Sequence, residues 1–147
     1  MPAITGHWSR VSWGVGVLIQ VHLSQQFLLT IQVDNDWVQD GQAAEIRTER
    51  LVIGNRLDDE VQIAIGEETV SQPHGEFFVR DGQLVYRDLG SRYGSFLLEG
   101  LREIAYLHAI GRRTEFAFPP EEFGKALTFQ VGQIGMVLKV TQRPSEP

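Results

Sequence analysis

Residues 71–94 read SQPHGEFFVRDGQLVYRDLGSRYG, and this stretch decides the fold class. Asp81-Gly82 at its centre is the strongest hairpin signal in the chain. A two-residue turn between right-twisted strands requires positive φ at both central positions, which Asp and Gly tolerate. The flanking runs, 76–80 and 83–88, have strand composition. Beyond them lie two clusters of turn formers, Ser71-Gln72-Pro73-His74 and Asp88-Leu89-Gly90-Ser91-Arg92-Tyr93-Gly94. Short strands with polar chemistry gathered in the connecting loops describe a β scaffold that presents a loop-built surface.

The same alternation extends outward. Residues 51–53 run into Gly54-Asn55-Arg56, 61–65 alternate, and 96–98 lead to Glu99-Gly100. Towards the N-terminus, Val15, Val17, Ile19, Val21 and Leu23 share one period-two face. Phe27, Leu29, Ile31 and Val33 share another, so the Ser24-Gln25-Gln26 link is expected to make a hairpin. Asp40-Gly41 signals a further hairpin, and residues 44–53 are expected to return as one strand. Past Gly100, strands are expected at 104–108, 115–118, 126–131 and 136–141. Pro119-Pro120 breaks the pattern, and 121–124 forms a surface loop with one helical turn. With no heptad and no helix of ordinary length, the class is all-β, a two-sheet sandwich of about ten or eleven strands.

Composition narrows the functions. A chain of 147 residues is long enough for one domain with a full core. With no cysteine there can be neither disulfides nor thiolate metal sites. The net charge of −6 argues against a nucleic-acid-coating role. Residues 14–26 are too short and too polar to span a bilayer or to serve as a signal peptide, so no membrane insertion and a cytoplasmic location are expected. Eleven arginines against two lysines suit planar recognition of phosphate or carboxylate, although genome composition explains the excess equally well.

The order and spacing of the loop clusters resemble the forkhead-associated (FHA) domain, a phosphothreonine-reading β-sandwich. The family's motifs run Gly-Arg, Ser-x-x-His, Ser-x-Asn-Gly and a later Asn-Gly. Here those places hold Gly54-Asn55, Ser71-Gln72-Pro73-His74, Ser91-Arg92-Tyr93-Gly94 and Glu99-Gly100. The resemblance covers residues 27–141. It sets off 1–26 as an N-terminal extension with an extra strand and 142–147 as a disordered tail. The extra strand is expected either to extend a sheet of its own domain or to bridge to a second molecule as a homo-oligomer.

The resemblance also implies roles for particular residues. Ser71 stands at the family's phosphate-contacting serine, with a turn serine as the plain alternative. His74 stands at an architectural histidine, and a buried, satisfied imidazole is the better physical expectation too. No partner at ligand or triad spacing makes it a metal ligand or a catalytic base. Gly54, Ser91 and Gly94 are structural. Asn55 replaces the arginine that grips phosphate, so a neutral amide takes the place of a charge. Arg56 compensates only if the loop bends, since neighbours on an extended chain face opposite ways. Arg92 could return the charge from the opposite loop or stand as an exposed loop arginine. Tyr93 replaces an asparagine that holds the peptide backbone and offers an aromatic wall instead. Gln72 can still bond a peptide. The acidic runs 58–60, 67–68 and 121–122 are read as solvated.

Two functions remain, neither needing a catalytic residue, a cofactor or a metal. One is a phosphate-independent assembly or scaffold domain. The other is a phosphothreonine-peptide reader in kinase signalling, with Ser71 and Arg92 gripping the phosphate and Asn55 and Gln72 assisting.

Overall fold

The computed structural model describes residues 16–98 and 115–143. Its strands are β1 (Val17–Leu23), β2 (Phe27–Val33), β3 (Glu45–Thr48), β4 (Arg50–Gly54), β5 (Ile63–Ala64) and β6 (Gly75–Arg80). They continue with β7 (Gln83–Asp88), β8 (Ser95–Leu98), β9 (Glu115–Ala117), β10 (Ala126–Val131) and β11 (Ile134–Gln142). The six-stranded sheet is ordered β3-β1-β2-β11-β10-β8 and the five-stranded sheet β5-β4-β6-β7-β9. The fold is all-β. The described residues include no helix long and apolar enough to cross a membrane. The strand expected at 104–108 and the Glu99-Gly100 turn lie outside the described residues.

Alternation builds the six-stranded sheet. Ile19, Val21 and Leu23 of β1 and Phe27, Leu29, Ile31 and Val33 of β2 all point inward and are buried. Ser24 and Gln25 turn the chain between them with φ of 53° and 58°, and the Gln26 N–H closes onto the Leu23 carbonyl at 3.0 Å. β1 is paired on both edges, antiparallel with β2 and parallel with β3, so it extends a sheet of its own domain. The pairing with β3 covers residues 20–23 only, and β3 is the outermost strand on that side. At the far end, Gln142 is the last residue of β11. The Arg143 N–H donates to the Gln26 carbonyl at 2.8 Å, so the sheet continues past the point where the tail was expected to begin.

Three expected elements come out differently. The single strand expected over 44–53 breaks at Glu49. β3 alternates about Ile46 in one sheet, whereas Leu51, Val52 and Ile53 of β4 are all buried in the other. The change from alternating to continuous apolar residues marks a strand passing from a one-sided to a two-sided environment. Asp40-Gly41 makes a turn but no hairpin, because β2 and β3 never pair with each other. The run 61–65 keeps only Ile63–Ala64 as strand, and Ile65 bridges to Val38. By contrast, Asp81 and Gly82 join β6 to β7 at φ of 54° and 76°.

The sheets close on an aromatic centre. The Phe77 ring lies 4.8 Å from Tyr86 and 5.3 Å from Phe129, and Tyr86 meets Phe129 edge-on at 4.9 Å. Such pairs add about 0.5–1.5 kcal/mol each beyond their buried area. β4 ends, β6 begins and β7 ends at the same rim of the sandwich, which brings the 54–61, 70–75 and 88–94 loops together.

Candidate functional site: the loop apex

A buried polar network lies beneath these three loops, with Asp88 at its centre. Asp88 is fully buried, and each carboxylate oxygen accepts two hydrogen bonds. Oδ1 takes the N–H groups of Gly90 and Ser91 at 2.9 and 2.7 Å. Oδ2 takes the hydroxyls of Ser91 and Ser95, both at 2.7 Å. Because Ser95 directs its proton at Asp88, the Tyr86 hydroxyl must donate to Ser95 Oγ, at 2.7 Å. Burial raises the pKa of that phenol. Ser91 Oγ in turn accepts the Gly94 N–H at 2.9 Å. Gly94 itself needs φ of 92°, which favours glycine.

His74 joins two loops. Its Nδ1 accepts the Ser71 N–H at 3.0 Å and its Nε2–H donates to the Gly94 carbonyl at 2.8 Å, which sets a neutral tautomer. Burial pushes the imidazole below its ordinary value, opposed by the Gly94 carbonyl and by Asp88, whose Oδ2 lies 3.8 Å from Nε2. No group of residues able to hold a metal ion occurs among the described ones.

Gln72 performs the equivalent task for the 54–58 loop. Its Oε1 accepts the N–H groups of Asn55 and Arg56 at 2.6 and 3.1 Å, and its Nε2 donates to the Arg56 carbonyl and Asp58 Oδ2 at 2.9 and 2.8 Å. Gly54 makes room for this, because a Cβ there would lie 2.4 Å from Gln72 Oε1. The Asn55 carboxamide turns inward and donates to the Val70 carbonyl at 3.1 Å.

The acids in the loops are not simply solvated. Asp58 Oδ1 accepts the N–H groups of Val61 and Glu60 at 2.6 and 2.8 Å. The Val61 bond, then the Glu60 bond, hold this carboxyl below the usual range, and the charge of Arg56 adds a smaller share. Glu67 likewise caps the Thr69 N–H at 2.9 Å, and Glu60 and Glu122 pair with Arg50 and Lys125 at 3.1 and 3.8 Å.

The outer surface of the apex belongs to the remaining residues. Ser71 Oγ accepts the Arg92 N–H at 3.0 Å, leaving its own proton to donate elsewhere. Arg56 and Arg92 are exposed and form no ion pair among the described residues. The Arg92 guanidinium lies 5.5 Å from the centroid of Tyr93, which is 48% exposed. Ser71, Arg92, Tyr93 and Arg56 therefore face outward, whereas Gly54, His74, Ser91, Gly94, Asn55 and Gln72 build the support.

Solved structures of forkhead-associated domains are similar to this chain. The FhaA FHA domain, solved in complex with the intracellular domain of a second protein, has 18% identity and a TM-score of 0.49 over 76% of this chain and 99% of its own. The FHA domain of an Arabidopsis thaliana hypothetical protein has 20% identity and a TM-score of 0.47 over 67% of this chain and 72% of its own. The FHA domain of the CT664 protein from Chlamydia trachomatis has 14% identity and a TM-score of 0.45 over 81% and 99%. No family model and no curated protein matches the chain.

Asp88 is the residue that sequence reasoning passed over. The signal was present: an aspartate followed by Gly90 and Ser91 can accept both of their N–H groups, as Asx turns do. Ser95 and Tyr86 carry no comparable local signature, because their bond closes only across strands.

Proposed function

We propose that the chain is a non-catalytic protein-interaction module that engages a partner protein through the loop apex without requiring a phosphate. The observation behind this is the commitment of the apex carboxamides. Gln72 uses both amide atoms on the 54–58 loop, and Asn55 directs its amide at Val70. A phosphate carries three acceptor oxygens and a charge near −2, and it is held by several converging donors. Here two of the neutral donors expected to assist are engaged in holding the loops. What remains is a rigid apex with an exposed arginine–tyrosine pair, both residue types enriched at protein interfaces.

Ser71 and Arg92 favour a second reading, that of a phosphothreonine-peptide reader. The Ser71 proton is free to donate, and Arg92, bonded to Ser71 Oγ through its backbone N–H, carries an exposed guanidinium on the same loop apex. The two readings separate on an array of phosphothreonine peptides with unphosphorylated twins. The expected outcome is no preference for phosphate. A clear preference that Arg92→Ala weakens about 10- to 150-fold, the loss of one charge-assisted bond, would replace the first reading with the second. Asn55→Arg is the complementary probe: it should create a phosphate preference only if Ser71 and Arg92 already frame an anion.

A further inference from the structure

We infer that the apex recognises an acidic side chain, a glutamate or aspartate carboxylate within a partner's segment, held between Arg56 and Arg92. This names the partner chemistry of the module proposed above and rests on that reading.

The distribution of paired and unpaired cations carries the inference. Among the described residues, Arg47, Arg50, Arg80, Arg87 and Lys125 each have a carboxylate partner. Arg143 donates to the His22 ring at 3.0 Å. Lys139 stands by itself on the exposed side of β11. Arg56 and Arg92 have no carboxylate within ion-pair distance, although Arg56 is close enough to Asp58 to lower its pKa, and both belong to the loop apex. Both backbones are fastened to one dipeptide: Arg56 to the Gln72 side chain through its N–H and carbonyl, Arg92 to Ser71 Oγ through its N–H. The two residues are thus anchored to Ser71-Gln72 from two different loops, the first held by Gln72 and the second by the Asp88 and His74 bonds. Two unpaired cations at a prearranged position, on a chain of net charge −6, mark where an anion from outside would be neutralised.

Carboxylate suits this site better than phosphate. A planar guanidinium pairs bidentately with either group, so Arg56 and Arg92 alone do not discriminate. The surroundings do. Asp58, held by Gln72 two residues after Arg56, is an anion on the same loop, and it repels a dianion more than a monoanion. The Asn55 and Gln72 amides, which could have met a third phosphate oxygen, are engaged internally. A carboxylate has two oxygens, and two guanidinium groups with the Ser71 hydroxyl satisfy them. The Arg92 guanidinium lies over the Tyr93 ring, 5.5 Å from its centroid, a cation–π contact that uses none of its N–H donors.

The test uses the full chain and degenerate peptide pools amidated at the C-terminus, so that no terminal carboxylate competes. Each pool has a fixed central glutamate, glutamine, threonine or phosphothreonine. Binding is measured by fluorescence anisotropy for wild type, Arg56→Gln and Arg92→Gln, with unchanged melting confirming that both variants fold. The expected result is a preference for glutamate over glutamine of about 10-fold, the worth of a charge-assisted bond, reduced in either variant and weakened by salt. The phosphothreonine pool should bind no better than the glutamate pool. Equal binding of glutamate and glutamine pools would overturn the carboxylate and leave the apex as a partner surface. A phosphothreonine preference lost in Arg92→Gln would overturn it in favour of the phosphopeptide reader. Binding that ignores both substitutions, or no binding by any pool, would remove the apex reading as well.

Discussion

The outer face of the five-stranded sheet and the loop apex both display arginine, in opposite ways. Across β4, β6, β7 and β9 the charges form a closed ladder. Arg50 bridges Glu60 and Glu76, Arg87 bridges Glu76 and Glu115, and Arg80 ends the row on Glu115. Phe78 lies beneath two of these guanidinium groups, 5.4 Å from Arg80 and 4.8 Å from Arg87. Each charge on that face is answered within the chain, so little electrostatic incentive remains for a partner. At the apex the buried polar groups are fully paired, while the outward arginines are not. The contrast shows that arginine content alone says nothing about recognition, and that the unpaired guanidinium groups are the informative ones.

The largest effect should come from the network under the apex. Asp88→Ala leaves two hydroxyls and two N–H groups without their acceptor, three of these four donors being buried. Stability should fall by about 3 kcal/mol or more, read as a lower urea midpoint. Glu76→Gln tests the ladder. The Glu76 side chain is 2% exposed and answers two arginines that can still reach water, so the loss should be smaller, about 1–3 kcal/mol. Partner binding should survive Glu76→Gln unchanged at temperatures where the protein is folded. An equal loss of binding would mean the ladder face is part of the interface.

Much of the architecture was legible in period-two alternation, because a half-buried strand writes its two faces directly into sequence. β1 and β2 were visible in this way, whereas β6 and β7 were marked by strand composition on either side of the Asp81-Gly82 turn. The break at Glu49 was not, because it depends on which sheet each half joins, a long-range choice that alternation does not encode. At the apex, residue spacing identified the loops and the histidine, but not which way each polar side chain turns. Asn55 and Gln72 have the same chemistry whether they face a ligand or a backbone carbonyl. Only the close approach of Gln72 to Gly54 decides it.

A smaller effect, dependent on pH, should separate the two regions. Burial lowers the His74 pKa below 6.5 in the folded chain, whereas in the unfolded chain it returns to that ordinary value. Between those values the unfolded chain binds more protons, so stability should fall as pH drops below about 6.5. A proton on Nδ1 would also oppose the Ser71 N–H that Nδ1 now accepts, so the 70–75 loop should loosen first. Ring titration of His74 by NMR, with amide exchange in the loops, measures both. A midpoint at or above 6.5 would contradict the buried neutral ring.

The smallest effect on stability should come from Arg56 and Arg92, and its smallness is the point. Both side chains are exposed, and neither has an ion pair to lose among the described residues. Arg92→Gln removes at most its contact with the exposed Tyr93 ring, and the backbone bond from residue 92 to Ser71 Oγ survives any side-chain change. Each substitution should therefore shift unfolding by no more than about 0.5 kcal/mol. Arg87→Gln, by contrast, removes the cation between Glu76 and Glu115 and leaves a buried carboxylate facing one arginine fewer. Its cost should exceed that of either apex variant in the same urea titration. Similar costs for Arg87→Gln and Arg92→Gln would mean that the apex arginine is answered within the chain after all. The distinction between a closed charge ladder and an open anion site would then collapse.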